Sequence, residues 1–173
     1  MKPIVSIILG SDSDLPVVEE TTKVLEEFGV NYETVIISAH RNPAGLTEYI
    51  KSAEKNGTKI FIGAVGMAAH LCGVIAAQTT FPVIGVPIKG KSFEGLDSLL
   101  SIVQMPPGIP VATVAVNGGR NAGILAIQIL ATSDNVLSKK LSDFKSKLKQ
   151  SVEEKSEELK KIGVKAYLEK NKK

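Results

Sequence analysis

The 173-residue chain is poor in cysteine, aromatic residues and long apolar runs, and each shortage excludes a class of protein. One cysteine, Cys72, cannot form an intrachain disulfide or a cysteine-built zinc site. Tryptophan is absent and 5% of residues are aromatic, which argues against nucleic-acid binding by base stacking. No apolar run approaches the roughly 18 residues of a membrane span, and the first residues do not resemble a secretory signal. We therefore expect a cytoplasmic domain that binds neither membrane nor nucleic acid.

Charge is divided unevenly along the sequence. Residues 138–173 hold 12 Lys and 6 Asp+Glu, a balance of +6, whereas residues 1–137 hold 9 Lys+Arg and 12 Asp+Glu, a balance of −3. An anionic partner such as DNA or RNA is one interpretation of the basic tail. Because Lys and Glu alternate there in short blocks, we favour a solvated helix. Its spaced apolar residues, from Val136 to Ile162, would pack on the chain's own body or on a neighbouring subunit.

β-branched and apolar runs alternate with helical patterns five times. Strands are predicted at residues 4–9, 32–38, 59–64, 82–86 and 111–116, and helices at residues 15–28, 43–56, 67–79, 96–104 and 120–131. A long helix follows at about residues 136–162. This alternation predicts a three-layer α/β/α domain with a flavodoxin-like parallel sheet of about five strands. We assign the α/β domain to residues 1–133 and the helical extension to residues 134–173.

Ligands of open parallel sheets bind beyond the carboxyl ends of the strands, and the first strand end carries Gly-Ser-Asp-Ser-Asp at residues 10–14. Glycine permits a tight turn, and the hydroxyls and amides can hold an anion. Aspartates repel phosphate, so a sugar hydroxyl is their more natural partner. The alternative is that Asp14 only caps the next helix. Neither a P-loop nor a dinucleotide fingerprint is present.

The second strand end carries Ser38, His40 and Arg41, followed by Pro43 at the start of a predicted helix. Arg41 offers a planar fork of donors suited to phosphate. His40 is one of only two histidines in the chain, and a histidine can exchange protons near neutral pH. A capping or structural role for His40 is the alternative.

The third strand end is a run of small residues at 63–73 that includes the second histidine, His70. Small side chains let backbone amides approach a flat ligand, a carboxylate or CO2. Taken alone, His70 fits a structural role as well as a catalytic one. For Cys72 we expect burial rather than reactivity, since no base or metal-ligand spacing accompanies it.

The motifs GSDSD, SAHRNP, AAHLCG, GVP, GLDSLLSIVQMPPGIPVATVAV and NAGILA together resemble those of the class I PurE proteins of purine synthesis. The resemblance runs from about residue 4 to residue 130. It implies an N5-carboxyaminoimidazole ribonucleotide mutase, which moves a carboxylate from the exocyclic nitrogen to ring C4 through decarboxylation and recapture of CO2. It also implies that no metal or other cofactor is used, and that the subunits form a homo-octamer. The functional partner would be the ATP-dependent synthetase that makes the carbamate substrate.

The resemblance also implies roles for individual residues. His40 would shuttle the proton, and His70 would be a second catalytic residue supporting the CO2 loop. Arg41 and Ser13 would lie near the phosphate and Asp14 at the ribose, and residues 66–69 would enclose CO2. The full set of candidates for substrate binding is Ser11, Ser13, Asp14, Ser38, Arg41, Gly66, Met67, Ala68 and Ala69.

Three positions depart from the commonest form of the family. Cys72 stands where proline is usual, Ala64 where glycine is common, and Met67 where glycine is frequent. Loss of the proline would loosen the turn after His70.

Two other functions stay open from the sequence. One is the class II reaction, direct carboxylation of the aminoimidazole ribonucleotide by free CO2. The other is a non-catalytic module that binds a nucleotide or phosphosugar.

Overall fold

A computed structural model describes residues 2–172 of the chain. It contains a central sheet, six α-helices and one short 3-10 turn at Asp12–Asp14. In chain order the elements are β1 (Val5–Leu9), α1 (Leu15–Phe28), β2 (Tyr32–Ile36), α2 (Pro43–Asn56), β3 (Ile60–Gly66), α3 (Leu71–Ala76), β4 (Val83–Ile88), α4 (Leu96–Val103), β5 (Ala112–Thr113), α5 (Gly119–Ala131) and α6 (Asn135–Lys170). The chain divides between Ile129 and Leu130 into two compact units.

The sheet is parallel throughout, with strand order β2-β1-β3-β4-β5. This is the flavodoxin-like order that the alternation of strands and helices predicts. The strands β1 and β4 are buried along their whole length, and β3 is buried over its first five residues. Their nearly continuous apolar sequences suit strands covered on both faces. The edge strand β2 is only partly buried.

The helices cover both faces of the sheet, as right-handed crossovers require. On one face, Leu46 and Ile50 of α2 and Ile75 of α3 pack with Ile8 and Phe61 of the strands. On the other face, α1 packs against α5, where Gly119 and Gly123 allow close approach. Both α1 and α2 end at a glycine in the left-handed region, Gly29 and Gly57, as helix ends commonly do.

Two predicted elements differ from the structure. The helix predicted at residues 67–79 is wrong at both ends: α3 begins only at Leu71, because Met67 has a left-handed φ of 59° that no right-handed helix accepts, and it ends at Ala76. The strand predicted at residues 111–116 is paired only at Ala112 and Thr113. Its apolar residues follow the strand pattern, but β5 is an edge strand with a single neighbour.

The second unit consists mainly of α6. The helix begins at a capping Asp134, whose carboxylate accepts from the backbone N–H groups of Val136 and Leu137. It is interrupted at Gly163, with φ 75° and ψ 164°. Lys170 forms an ion pair with Glu158, twelve residues earlier. Because twelve helical residues span about 18 Å, this pair requires the chain to turn back at Gly163. The predicted helix at about residues 136–162 thus corresponds to the part of α6 before the turn.

Candidate active site

A cavity of about 470 Å³ opens at the carboxyl edge of three neighbouring strands, β2, β1 and β3. Each strand is followed by a loop that contributes one wall. Nine of the residues singled out in the sequence line it: Ser11, Ser13, Asp14, Ser38, His40, Arg41, Gly66, Met67 and Ala68. Two others do not. Ala69 is fully buried, and His70 stands behind His40.

Four residues that the sequence did not single out also line the cavity: Gly10, Ala39, Val65 and Leu71. Gly10 and Ala39 belong to the polar motifs GSDSD and SAHRNP, and this membership is the only sign in the sequence that they line the cavity. Val65 and Leu71 have the apolar character of core residues. Nothing in their periodicity distinguishes a cavity wall from the interior of the protein.

The first wall is the hydroxyl-rich turn after β1. Ser13 Oγ lies 3.0 Å from Ser11 Oγ and 3.3 Å from Asp14 Oδ1. Asp14 is buried, with 6% of its surface exposed, although it lines the cavity. Burial raises the pKa of its carboxyl group, and the hydrogen bond from Ser13 partly opposes this change. Asp14 occupies the N-cap position of α1, but its side chain makes no capping hydrogen bond there.

The second wall follows β2 and carries the cationic side chain. Ser38 Oγ accepts a hydrogen bond of 3.2 Å from the backbone N–H of Arg41. Arg41 Nη2 donates to the carbonyl oxygen of Gly10 at 3.3 Å, which ties this loop to the first wall. A guanidinium carries five N–H donors, so donors remain for an anion in the cavity. Asn42, rather than His40, caps α2 by accepting from the Gly45 N–H.

The third wall is the small-residue loop after β3. Gly66 lies so close to β4 that a Cβ there would stand 3.3 Å from the carbonyl oxygen of Ile88. Met67 follows in the left-handed region, and Ala69 is fully buried. The backbone N–H of His70 donates to the carbonyl of Ala68 at 2.9 Å. The loop is therefore fixed at both ends, with Met67 at its apex.

The two histidines contact each other directly. His40 Nε2 lies 2.7 Å from His70 Nδ1, and the rings are nearly perpendicular, at 88°. His40 lines the cavity described above and also a second cavity of about 400 Å³, which His70 lines together with Ser101 and Met105. A hydrogen bond between two imidazole nitrogens needs one donor and one acceptor. The pair therefore holds one proton between the two rings and presents His40 to both cavities.

Cys72, which follows the small-residue loop after β3 in the sequence, is buried, as expected. Its Sγ donates to the carbonyl of Gly63 at 3.3 Å, and a Cβ on Gly63 would stand only 2.7 Å from the sulfur. Burial raises the pKa of the thiol to about 12, so it stays neutral and unreactive. Where proline is usual in the resembling family, this thiol ties α3 to the backbone of β3.

Residues 2–172 contain no cluster of three or more histidine, cysteine, aspartate or glutamate side chains that could hold a metal ion. Over the same range, none of the helices is long and apolar enough to cross a membrane.

The fold and the cavity together define a flavodoxin-like α/β protein, with hydroxyl, carboxylate, guanidinium and imidazole groups lining a cavity beyond the carboxyl edge of its sheet. The model of one family, AIR carboxylase, matches residues 4–151. The chain belongs to the AIR carboxylase family.

Several curated relatives resemble the chain over nearly its full length. The N5-carboxyaminoimidazole ribonucleotide mutase of Pyrococcus horikoshii is 54% identical over 167 residues, which cover 96% of this chain and 94% of that protein. The mutase of Thermotoga maritima is 52% identical over 166 residues, covering 96% and 97%. The phosphoribosylaminoimidazole carboxylase of Saccharomyces cerevisiae is 50% identical over 169 residues, covering 98% of this chain but 30% of that longer protein.

A solved structure, that of Treponema denticola PurE, matches with a TM-score of 0.85 and 28% sequence identity. The match covers 92% of this chain and 99% of that one. Fold and family agree with the resemblance drawn from the motifs.

Proposed function

We propose that the chain is an N5-carboxyaminoimidazole ribonucleotide mutase of purine biosynthesis, an isomerase that moves a carboxylate from the exocyclic nitrogen to C4 of the imidazole ring. One observation carries the proposal. A single cavity is lined by the guanidinium of Arg41, which suits a phosphate, the carboxylate of Asp14, which suits sugar hydroxyls, and the imidazole of His40. A loop of small residues lines the same cavity. Relatives named as this mutase are 51–56% identical to the chain.

The proposed binding mode follows from the charges of the three walls. Arg41 and the hydroxyls of Ser11, Ser13 and Ser38 take the phosphate, because guanidinium and hydroxyl groups donate to phosphate oxygens. The ionised carboxylate of Asp14 accepts from ribose hydroxyl groups. Affinity rests on these groups rather than on overall charge, because residues 1–137 carry a net charge of −3.

The proposed reaction has two steps, and the proton that His40 donates in the first step is replaced in the second. Protonated His40 donates to the exocyclic nitrogen while the nitrogen–carbon bond of the carbamate breaks, which yields CO2 and the aminoimidazole. Ring C4 then attacks the carbon of CO2, and the C4 proton passes to His40, which is thereby returned to its protonated form. One histidine serves both transfers because imidazole gains and loses protons near neutral pH. The substrate supplies both the carboxylate and the proton, so the sequence of steps requires no cofactor.

We assign His70 a supporting role in these transfers, through its 2.7 Å contact with His40. The small residues of the loop that line the cavity, Gly66 and Ala68, would keep released CO2 next to C4. Confinement of this kind replaces a bimolecular recapture with an effectively intramolecular one.

Direct carboxylation is the second candidate, because fungal relatives about 50% identical to the chain are named carboxylases. The two reactions differ in the substrate that is consumed. The purified enzyme should convert the carbamate rapidly without added bicarbonate, and should convert the aminoimidazole ribonucleotide slowly even in saturating bicarbonate. Efficient turnover of the aminoimidazole with bicarbonate would assign the chain to the carboxylases instead.

The variant His40→Asn separates both reactions from mere binding. It keeps a polar side chain of similar reach but cannot transfer the proton, so we expect turnover to fall about 100-fold or more, the usual scale for a lost general acid–base group. Calorimetry with the product should show binding within a few-fold of the unaltered protein. Retained turnover would favour a non-catalytic role for His40.

We also propose that the enzyme is a homo-octamer whose subunits pack partly through the helical extension at residues 134–173. Apolar side chains of α6, such as Leu148 and Val152, are 52% and 66% exposed, and Leu96 and Leu100 of α4 are 54% and 47% exposed. Their burial between subunits would remove this surface from water. Sedimentation at working concentration should give an octamer, and a stable monomer would contradict it. The proposed functional partner is the ATP-dependent synthetase that forms the carbamate.

A further inference from the structure

The last residues of the chain lie outside the part that the family model matches. That match ends at residue 151, and 22 residues follow it (173 − 151). Their charges are separated into two blocks. Residues 153–158, the acidic block, hold four Glu and one Lys, a balance of −3. Residues 160–173, the basic block, hold six Lys and one Glu, a balance of +5.

Residues 152–172 form a hairpin at the end of α6, the C-terminal hairpin. It turns at Gly163, whose φ of 75° and ψ of 164° belong to a backbone region that only glycine readily adopts. The ion pair between Lys170 and Glu158 joins the basic block to the acidic block of the same chain. Exposed ion pairs are weak, and the second arm, residues 164–170, is too short to be a stable helix by itself. The second arm therefore needs a further contact to hold it.

The hairpin leaves apolar side chains uncovered on both arms. Val152 on the first arm, and Val164 and Leu168 on the second, are each at least 60% exposed. Val164 and Leu168 are four residues apart, so they share one face of the second arm. Folding of the hairpin on itself thus leaves apolar surface that a partner would remove from water.

We propose that the C-terminal hairpin is a docking surface for the same hairpin of a second copy of this chain. A surface with an acidic block beside a basic block is complementary to itself after a two-fold rotation, which sets the acidic block of each copy against the basic block of the other. The exposed apolar side chains of the two hairpins are then buried between them. The inference goes beyond the proposed reaction. It rests on the proposed assembly, because subunits already held together raise the effective concentration of so small a contact.

The charges argue against a polyanion as the occupant. A nucleic acid would gain contacts with the basic block but would be repelled by the acidic block, which the pair between Lys170 and Glu158 holds beside it. A second copy offers both signs of charge in the same arrangement. A polyanion is therefore an alternative outcome of the test.

Cross-linking between two differently substituted chains tests the contact in the assembled protein. One chain carries an affinity tag and Val152→Cys, and the co-expressed untagged chain carries Leu168→Cys. The native Cys72 is buried and does not compete for a short bis-maleimide. The matched control has Gln150→Cys in place of Val152→Cys, because two residues at about 100° each put residue 150 on the opposite face of the same helix.

A denaturing gel separates the mixed product, one tagged chain joined to one untagged chain, from products of like chains. We expect at least about fivefold more mixed product with Val152→Cys than with Gln150→Cys, because a side chain on the opposite face lies about 10 Å farther from the partner.

Reversal of charge tests the complementarity. Glu153→Lys with Glu154→Lys, added to the tagged chain, changes the acidic block from −3 to +1 (−3 + 4). We expect about tenfold less mixed product, because the basic block of the other copy is then repelled. Glu19→Lys with Glu20→Lys makes the same change in net charge at two adjacent surface glutamates of α1. This control should stay within about twofold of the unreversed pair.

Each outcome bears on the inference. Equal yields with Val152→Cys and Gln150→Cys would mean that the chains meet without a preferred face, and would overturn it. Undiminished product after reversal of the acidic block, or an equal loss with the α1 control, would overturn the complementarity of the blocks. Retention on heparin that is lost on deletion of residues 160–173, without mixed product, would assign the basic block to a polyanion instead. Sedimentation and the carbamate assay test the octamer and the reaction separately, so failure of the hairpin contact leaves both standing.

Discussion

The contact between α1 and α5 predicts a large effect from one added methyl group, in the variant Gly119→Ala. A Cβ at residue 119 would stand 2.0 Å from the carbonyl oxygen of Val17 and 3.0 Å from its carbonyl carbon. Both atoms are backbone, so no side chain can rotate away and the helices must move apart. The same movement would disturb the hydrogen bond of 2.8 Å that Thr21 Oγ1 donates to the carbonyl of Gly119.

The size of the effect follows from three contributions. Overpacking a core costs up to about 3 kcal/mol, and the upper end applies because the obstacle is backbone. Loss of the buried hydrogen bond costs about 1 kcal/mol. Alanine in place of glycine in a helix returns at most about 1 kcal/mol. We therefore expect Gly119→Ala to lower the free energy of unfolding by about 3 kcal/mol.

Urea unfolding followed by circular dichroism measures this change, with Gly73→Ala as the matched control. A Cβ at Gly73 meets the terminal methyl and sulfur of Met105 at 3.0 and 3.1 Å, and this flexible end can move aside. The control should cost under about 1 kcal/mol. Val17 lies three residues after Asp14, so Gly119→Ala should also raise KM. A loss of stability no greater than that of the control would refute the assignment of a tight helix contact.

Three further predictions concern the site. Arg41→Ala should raise KM about 10- to 100-fold in steady-state kinetics, since charge-assisted hydrogen bonds to phosphate are lost, and an unchanged KM would place the phosphate elsewhere. Asp14→Asn should stabilise the ligand-free protein by about 1 kcal/mol at neutral pH. Burial raises the pKa of Asp14 in the folded protein, so its ionised carboxylate destabilises the fold at neutral pH, and this destabilisation vanishes below the ordinary pKa of 3.8. The gain in Tm of the Asn variant should therefore shrink on acidification. A gain that does not depend on pH would contradict this. The buried thiol of Cys72 should react with a thiol reagent only as fast as the native protein opens, but fully in denaturant, and rapid native labelling would show it accessible.

Most of the fold could be predicted from the sequence because its strands are unambiguous. Nearly continuous apolar runs such as Val5–Leu9 mark strands covered on both faces, and glycines such as Gly29 and Gly57 mark helix ends. A flavodoxin-like strand order is the arrangement expected for this alternation, and the handedness of the crossovers then sets which face of the sheet each helix covers. The polar strand ends likewise predicted that the groups around Asp14, His40 and Arg41 would meet, since parallel strands end at one edge.

The remaining features depend on contacts distant in the sequence. Residues 67–69, Met-Ala-Ala, carry helical propensity, but Gly66 packs against β4 and Met67 makes a left-handed turn that propensity does not reveal. The contact between His40 and His70 joins loops 30 residues apart, and no spacing encodes it. The second cavity, to which Ser101 and Met105 contribute, likewise joins segments that are distant in the sequence.

The position of the cavity along the chain affects how the protein is made. Every residue that lines the main cavity lies at or before Leu71, so 102 of the 173 residues (173 − 71) are synthesised after them. The strand β3 nevertheless needs β4 as its second neighbour, and α1 needs α5. Because domains fold as units during synthesis, the cavity-lining residues leave the ribosome before the segments that support them and cannot adopt their final structure until those segments follow. Defects in the later half would thus lower the yield of folded protein even where they lie far from the cavity in the sequence.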